Sequence, residues 1–271
     1  MKITLHTICL TLLYVLPCIP ANADELRLAV ASNFSPTVQH LIRDFEAQYP
    51  GTHIKLISGS SGKLYAQIRH GAPYDVFLSA DQEKPRRLVE EGLAQAGSRF
   101  TYATGLLVLW SRDATRIDSG EMILQTSDFN KLAIANARLA PYGEAAEQVL
   151  LRLGLRESSR SKWVQAENIA QTFQFVETGN AEIGFVSKSQ VWRNGKLSHG
   201  SVWFIPENWY APIKQDAVLL NKAADNKLAE LFLAYLKRAD VRARIAAFGY
   251  LDHPEPSTTI SGDVTNAVIR K

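Results

Sequence analysis

The feature that most constrains this chain is a repeated switch between two hydrophobic periods. Apolar strand segments at 26–31, 53–57 and 75–79 are separated by helical stripes. Val38, Leu41, Ile42 and Phe45 share one helix face, and Leu64 and Ile68 share another. Strands alternating with helices in this way build a parallel sheet with helices packed on its faces. A long strand is predicted over 102–110. The alternation then resumes, with strands at 132–135, 162–164 and 183–186 and helices at 143–153 and 170–177. A strand at 217–220 and helices at 227–236 and 241–248 complete the ordered part. Because the rhythm occurs twice, the expected α/β architecture has two lobes, each a mainly parallel sheet flanked by helices. The chain is expected to cross between them near 102–105 and 210–213. Lobe 1 would then hold residues 24–102 and 213–251, lobe 2 residues 103–212, and 252–271 would form a loose C-terminal tail.

Residues 1–23 read differently. Lys2 precedes a mostly apolar stretch over 8–16, and Ala21-Asn22-Ala23 before Asp24 has the small-x-small form of a leader cleavage site. This predicts a cleaved signal peptide and an exported, periplasmic product. Both cysteines, Cys9 and Cys18, lie inside that segment, so the mature chain has neither a disulfide nor a thiol nucleophile. Pro17 stands where a lipoprotein signal would place a small residue before Cys18. Lys and Arg number 30 against 27 Asp and Glu, with no basic run, which argues against a nucleic-acid partner.

Four segments share one local design, in which a strand ends, small polar residues follow and a helix begins. They are Ala31-Ser32-Asn33, Gly59-Ser60-Ser61-Gly62, Ala140-Pro141-Tyr142-Gly143 and Glu167-Asn168-Ile169. Helix N-termini carry unpaired N–H groups and the positive end of the helix dipole, and in open α/β sheets ligands bind beyond the strands' carboxyl ends. One such turn is simply a helix cap; four, divided between two lobes, point to an anion site. Other chemistries are poorly supported. Ile57 and Leu64 break the phosphate-loop pattern around Gly59 to Lys63, and the mature chain has no G-x-S-x-G elbow. The mature histidines lack metal-ligand spacing, and Asp75 and Asp81 are expected to hold loops.

The segments Val30-Ala31-Ser32-Asn33-Phe34, Ser58-Gly59-Ser60-Ser61-Gly62, Ala66-Gln67-Ile68 and Gly71 through Asp81 resemble the periplasmic molybdate-binding proteins of ABC uptake systems, the ModA family. Ala140-Pro141-Tyr142-Gly143, Glu167-Asn168 and Gly184-Phe185-Val186 continue the likeness in order, over roughly 26–250. The resemblance implies a type II periplasmic binding protein with its ligand cleft between the lobes, closing on molybdate or tungstate. It implies hydroxyl donors at Ser32 and Ser61, backbone donors at Asn33 and Ile169, and a phenol donor at Tyr142. Ser60, Asn168 and Ser187 are further candidates; Ser187 stands where another branch of the family has its tyrosine. Pro141 and Gly143 are expected to aim the Tyr142 phenol, Gly143 by leaving room beside it, and Tyr142→Phe to leave the ligand-free fold little changed in stability.

The anion would be held through its oxygens with no direct metal ligation. The resemblance further implies no cofactor, no catalytic residue and no enzymatic activity. The partners would be a membrane permease with its ATPase, served by a monomeric binding subunit. Sulfate, thiosulfate or phosphate is the alternative ligand class, and a secreted enzyme on the same fold is the more distant reading.

Overall fold

The computed structural model describes residues 24–118, 120–193 and 195–252; the expected signal peptide, both cysteines and tail residues 253–271 lie outside it. The chain begins with β1 (Asp24–Ala31), α1 (Ser35–Gln48), β2 (Thr52–Gly59), α2 (Ser61–Arg69), β3 (Val76–Leu78), α3 (Glu83–Glu90) and β4 (Phe100–Gly105). It continues with β5 (Leu107–Ser111), α4 (Met122–Thr126), β6 (Leu132–Ala135), α5 (Pro141–Arg152), α6 (Arg156–Ser159), β7 (Trp163–Ala166) and α7 (Ile169–Glu177). Next come β8 (Ile183–Ser187), α8 (Lys188–Val191), the small hairpin β9 (Trp192–Arg193) and β10 (Lys196–Leu197), and β11 (Ser201–Phe204). The last elements are β12 (Ile213–Leu219), α9 (Lys227–Lys237) and α10 (Ala239–Ala247).

Two five-stranded sheets result, in the orders β2-β1-β3-β12-β4 and β11-β5-β8-β6-β7. In the first, β12 runs antiparallel to both its neighbours, and in the second β5 does so. The other four strands of each sheet share one direction. The reversed strands are the ones by which the chain enters each sheet from the other.

Alternation along β1 shows why the first sheet is covered on both faces. Leu26, Leu28 and Val30 join a core with α1, α9 and α10, while Ala29 joins one built from Leu64, Tyr65 and Ile68 of α2 and Leu88 of α3. In the second lobe, Ala145, Ala146, Val149 and Leu150 of α5 pack on one face, and Val176 of α7 joins Trp110 and Ala133 on the other. Asp75 and Asp81 hold loops, as expected. Asp75 accepts from the Arg27 N–H at 2.6 Å, and Asp81 accepts from the Lys84 N–H at 2.9 Å.

The strand expected over 102–110 is two strands, one in each sheet. β4 pairs with β12 as far as Gly105, opposite Ile213, and β5 opens the other sheet at Leu107. The change of sheet therefore falls at Leu106, immediately after the crossing expected near 102–105. Thr104 and Gly105 interrupt the apolar residues just before the break. β12 also begins four residues before the predicted 217, because Gln215 and Asp216 are buried despite their polarity. Neither α3 nor β11 was signalled by the pattern; α3 is mostly charged and β11 has only four residues.

Candidate functional site

All four predicted turns converge on one small pocket. Ser32 and Asn33 follow β1, and Ser60 and Ser61 stand between β2 and α2. Pro141 and Tyr142 open α5, and Ile169 opens α7. No charged side chain lines the pocket. Two further candidates lie outside the lining. Asn168 turns its side chain to cap α7, accepting from the Gln171 N–H at 3.0 Å. Ser187 sits behind Tyr142. Ser60 does line the pocket, though its Oγ caps α2 by accepting from the Lys63 N–H.

The hydroxyls are arranged so that protein donors occupy their oxygens. Ser61 Oγ accepts from the Ala80 N–H at 2.9 Å, and Ser32 Oγ accepts from the Ala170 N–H of the opposite lobe at 3.3 Å. Tyr142 Oη accepts twice, from Ser187 Oγ at 3.0 Å and from Gln215 Nε2 at 3.2 Å. A hydroxyl has one proton and two acceptor lone pairs, so an oxygen already supplied with donors turns its own proton elsewhere. Ser61 and Ile169 are the first residues of their helices, where backbone N–H groups have no intrahelical acceptor. The Asn33 N–H also has no backbone acceptor among the described residues. Asn33 Nδ2 is engaged with Gln215 Oε1 at 2.9 Å and Tyr250 Oη at 3.1 Å, and its Oδ1 is buried without a partner.

Burial keeps the nearby phenols neutral. It raises Tyr142 and Tyr102 well above the ordinary tyrosine value and pushes Tyr250 up to about 12. A raised phenol pKa favours the protonated form in the folded state. That contribution is intact below about pH 10 and is lost as pH climbs through the folded value. The donors are therefore uncharged throughout the physiological range.

Gly143 serves a different purpose from the one expected. A Cβ there would lie 2.2 Å from the Ala135 carbonyl oxygen, so this glycine lets α5 start hard against the end of β6. The room beside the phenol comes from Gly105, where a Cβ would fall 2.0 Å from Tyr142 Oη.

Contacts join the two sides of the cleft around this pocket. The Gly62 N–H donates to the Leu139 carbonyl at 2.9 Å, and Lys63 pairs with Glu167 at 3.1 Å. Ser189 Oγ, just after β8 of the second sheet, lies 3.2 Å from the Asn33 carbonyl, just after β1 of the first. The Lys63–Glu167 pair is about half exposed and adds little stability by itself.

The model of the bacterial extracellular solute-binding protein family matches residues 26–251. This chain belongs to that family. The solute-binding protein is 47% identical over 230 residues to the molybdate-binding protein ModA of Azotobacter vinelandii, covering 85% of this chain and 91% of the relative. It is 44% identical over 233 residues to ModA of Rhodobacter capsulatus, with 86% and 90% covered. The solved structure of the Azotobacter vinelandii periplasmic molybdate-binding protein superposes with a TM-score of 0.80 at 40% identity, covering 83% of this chain and 98% of that one. Both the two-sheet fold and the resemblance named from the turn motifs stand on these matches.

Reading the sequence of this solute-binding protein missed the groups that orient the pocket. Gln215 looks like an ordinary polar residue beside a strand. Tyr102 and Tyr250 lie in segments with no motif, and Gly105 lies inside an apolar run. Pairing them with the pocket requires separations of 73 and 217 residues, for Gln215 with Tyr142 and Tyr250 with Asn33, which no local pattern reports.

Proposed function

We propose that this chain is the periplasmic, monomeric ligand-capturing subunit of an ABC importer for molybdate or tungstate, exported after removal of residues 1–23. It binds the tetrahedral dianion by its oxygens, performs no catalysis, and hands the ion to a membrane permease driven by an ATPase. The observation that carries this reading is the pocket of neutral donors drawn from both lobes, with Ser32, Ser61 and Tyr142 each held so that a proton is free. Two relatives of high identity bear the name of molybdate-binding proteins, which supports the choice of ion.

The energetics favour such a site. Burying an isolated ion costs tens of kcal/mol by Born estimates, and hydrogen bonds to charged groups return about 1.5–3 kcal/mol each. Several donors, each held in place within its own lobe and brought together by closure, can offset that cost. A protonated oxyanion would instead bring its own O–H against N–H and O–H groups, which disfavours it.

The test is thermal unfolding in the presence of molybdate, tungstate, sulfate or phosphate. A ligand that binds only the folded form raises the melting temperature by mass action. Molybdate and tungstate are expected to raise it and the smaller sulfate and phosphate to do so weakly or not at all. Stabilisation by sulfate or phosphate alone defeats the proposed ligand.

Capture is proposed to proceed by closure of the lobes, the contacts Gly62 to Leu139 and Ser32 to Ala170 forming as the cleft shuts. Small-angle scattering is expected to give a smaller radius of gyration with molybdate than without it. An unchanged radius in a protein that demonstrably binds the anion removes the closure step.

A further inference from the structure

The polar network behind the pocket has a direction, and one buried side chain fixes it. Gln215 lies in β12 with no exposed surface. Its Oε1 accepts from Asn33 Nδ2 at 2.9 Å and from Tyr102 Oη at 2.9 Å, the Tyr102 proton being shared with the Ser79 carbonyl at 3.0 Å. Turning the amide over would set its NH₂ against the Asn33 NH₂, donor against donor. With Asn33 Nδ2 as the donor to its oxygen, the Gln215 nitrogen faces Tyr142 Oη, to which it donates at 3.2 Å.

Ser187 Oγ donates to the same phenol oxygen from the second lobe at 3.0 Å. With both donors in place, the phenol proton is turned away from the network and toward the pocket. A Cβ at Gly105 would come within 2.5 Å of Gln215 Nε2 and 2.0 Å of Tyr142 Oη, so the two groups meet across a space that only glycine leaves open.

We infer that Gln215 is a positioning residue for oxyanion binding: it dictates which way the Tyr142 hydroxyl points its proton, and so makes that phenol a donor to the ligand. The inference rests on the reading of the pocket as an oxyanion site. It also assigns Gln215 a second task, since the same side chain links Asn33 of the first lobe to Tyr142 of the second. Gln215 does not touch the ligand in this scheme; it acts entirely through its neighbours.

A double-mutant cycle tests it. Gln215→Glu preserves the side-chain shape and an acceptor for Asn33 and Tyr102, and replaces only the donor facing Tyr142 by an oxygen. Dissociation constants are measured by titration calorimetry for the wild type, Gln215→Glu, Tyr142→Phe and the double variant. The titrant is whichever of molybdate, tungstate, sulfate and phosphate the wild-type protein binds, and ligand-free melting temperatures are recorded alongside. Gln215→Glu is expected to weaken binding roughly 100-fold or more with Tyr142 present, and at least about tenfold less when phenylalanine has removed the proton to be redirected.

Gln215→Met, which adds no charge, is expected to show the same non-additivity with a smaller loss. A side chain that merely fills space, or acts only by charge, would cost the same in both backgrounds, and equal losses overturn the inference. Because the cycle can be read with any of the four anions, a wild-type protein that takes sulfate but not molybdate defeats the proposed ligand and leaves the cycle to judge Gln215.

Discussion

Gly105→Ala is expected to damage oxyanion binding more than removal of any single pocket hydroxyl. The new methyl carbon would sit 2.0 Å from Tyr142 Oη, 2.8 Å from Tyr142 Cζ and 2.5 Å from Gln215 Nε2. None of these can yield cheaply. Tyr142 is 1% exposed at the start of α5, and Gln215 is held by Asn33 and Tyr102. Either the phenol leaves its place, taking its donor with it, or β4 and α5 separate and the lobes no longer meet. Overpacking a dense interior costs about 1–3 kcal/mol, and the lost charge-assisted hydrogen bond about 1.5–3 kcal/mol more. Calorimetric titration with molybdate reads the affinity and thermal unfolding reads the strain. Full-strength binding by the alanine variant would show that the phenol is not held where Gly105 places it.

Tyr142→Phe is expected to weaken binding by about 10- to 150-fold, equivalent to a loss of about 1.5–3 kcal/mol. The ring remains and only the donor goes, so the change isolates the hydrogen bond. The ligand-free protein is also expected to lose stability, contrary to the expectation from sequence alone. The phenol oxygen is the acceptor for Gln215 Nε2 and Ser187 Oγ, and both are buried. Ser187 retains Ser189 Oγ at 2.8 Å, but Gln215 Nε2 is left without an acceptor among the described residues. An unsatisfied buried donor costs about 1–3 kcal/mol, which thermal or denaturant unfolding resolves. A variant with weakened binding and unchanged stability would contradict the network described here. Unchanged affinity would remove Tyr142 from the set of ligand donors.

Much of this site was legible because its chemistry is local. Ser32, Asn33, Ser60, Ser61, Tyr142 and Ile169 each lie where a strand gives way to a helix, and that junction leaves a sequence trace in small polar residues and proline. The periodicity that defined the elements also placed those junctions at the same ends of the sheets. What the sequence did not report is what stands behind the donors. Gln215 and Asp216 are polar residues buried in a strand, so a hydropathy reading starts β12 too late and discards the residue that orients the phenol. The crossing at Leu106 was expected within a residue, but the division of the strand over 102–110 into two was not, since apolar residues flank Thr104 and Gly105 on both sides. Gly143 was recognised as special but for the wrong neighbour, because its close approach is to the Ala135 carbonyl of β6. Sequence pattern reports the solvent or core preference of each residue. It does not report which distant partner satisfies a buried polar atom.

The two passages between the sheets lie side by side. Gly105 pairs with Ile213 across β4 and β12, and the Leu107 N–H donates to Tyr210 Oη at 3.0 Å, tying the outgoing passage to the returning one. Together they act as a strap with its width along one line, easy to bend and hard to slide. Gly105, at the edge of that strap, is also the residue against which the Tyr142 hydroxyl rests. Under the proposed closure the anion would lie close to the fulcrum, since Gly105 belongs to the strap. A modest swing of the lobes about the strap would then shift the walls around the ion only slightly. Release would then demand little more than the loss of the last few donors, a small displacement on the hinge side of the cleft.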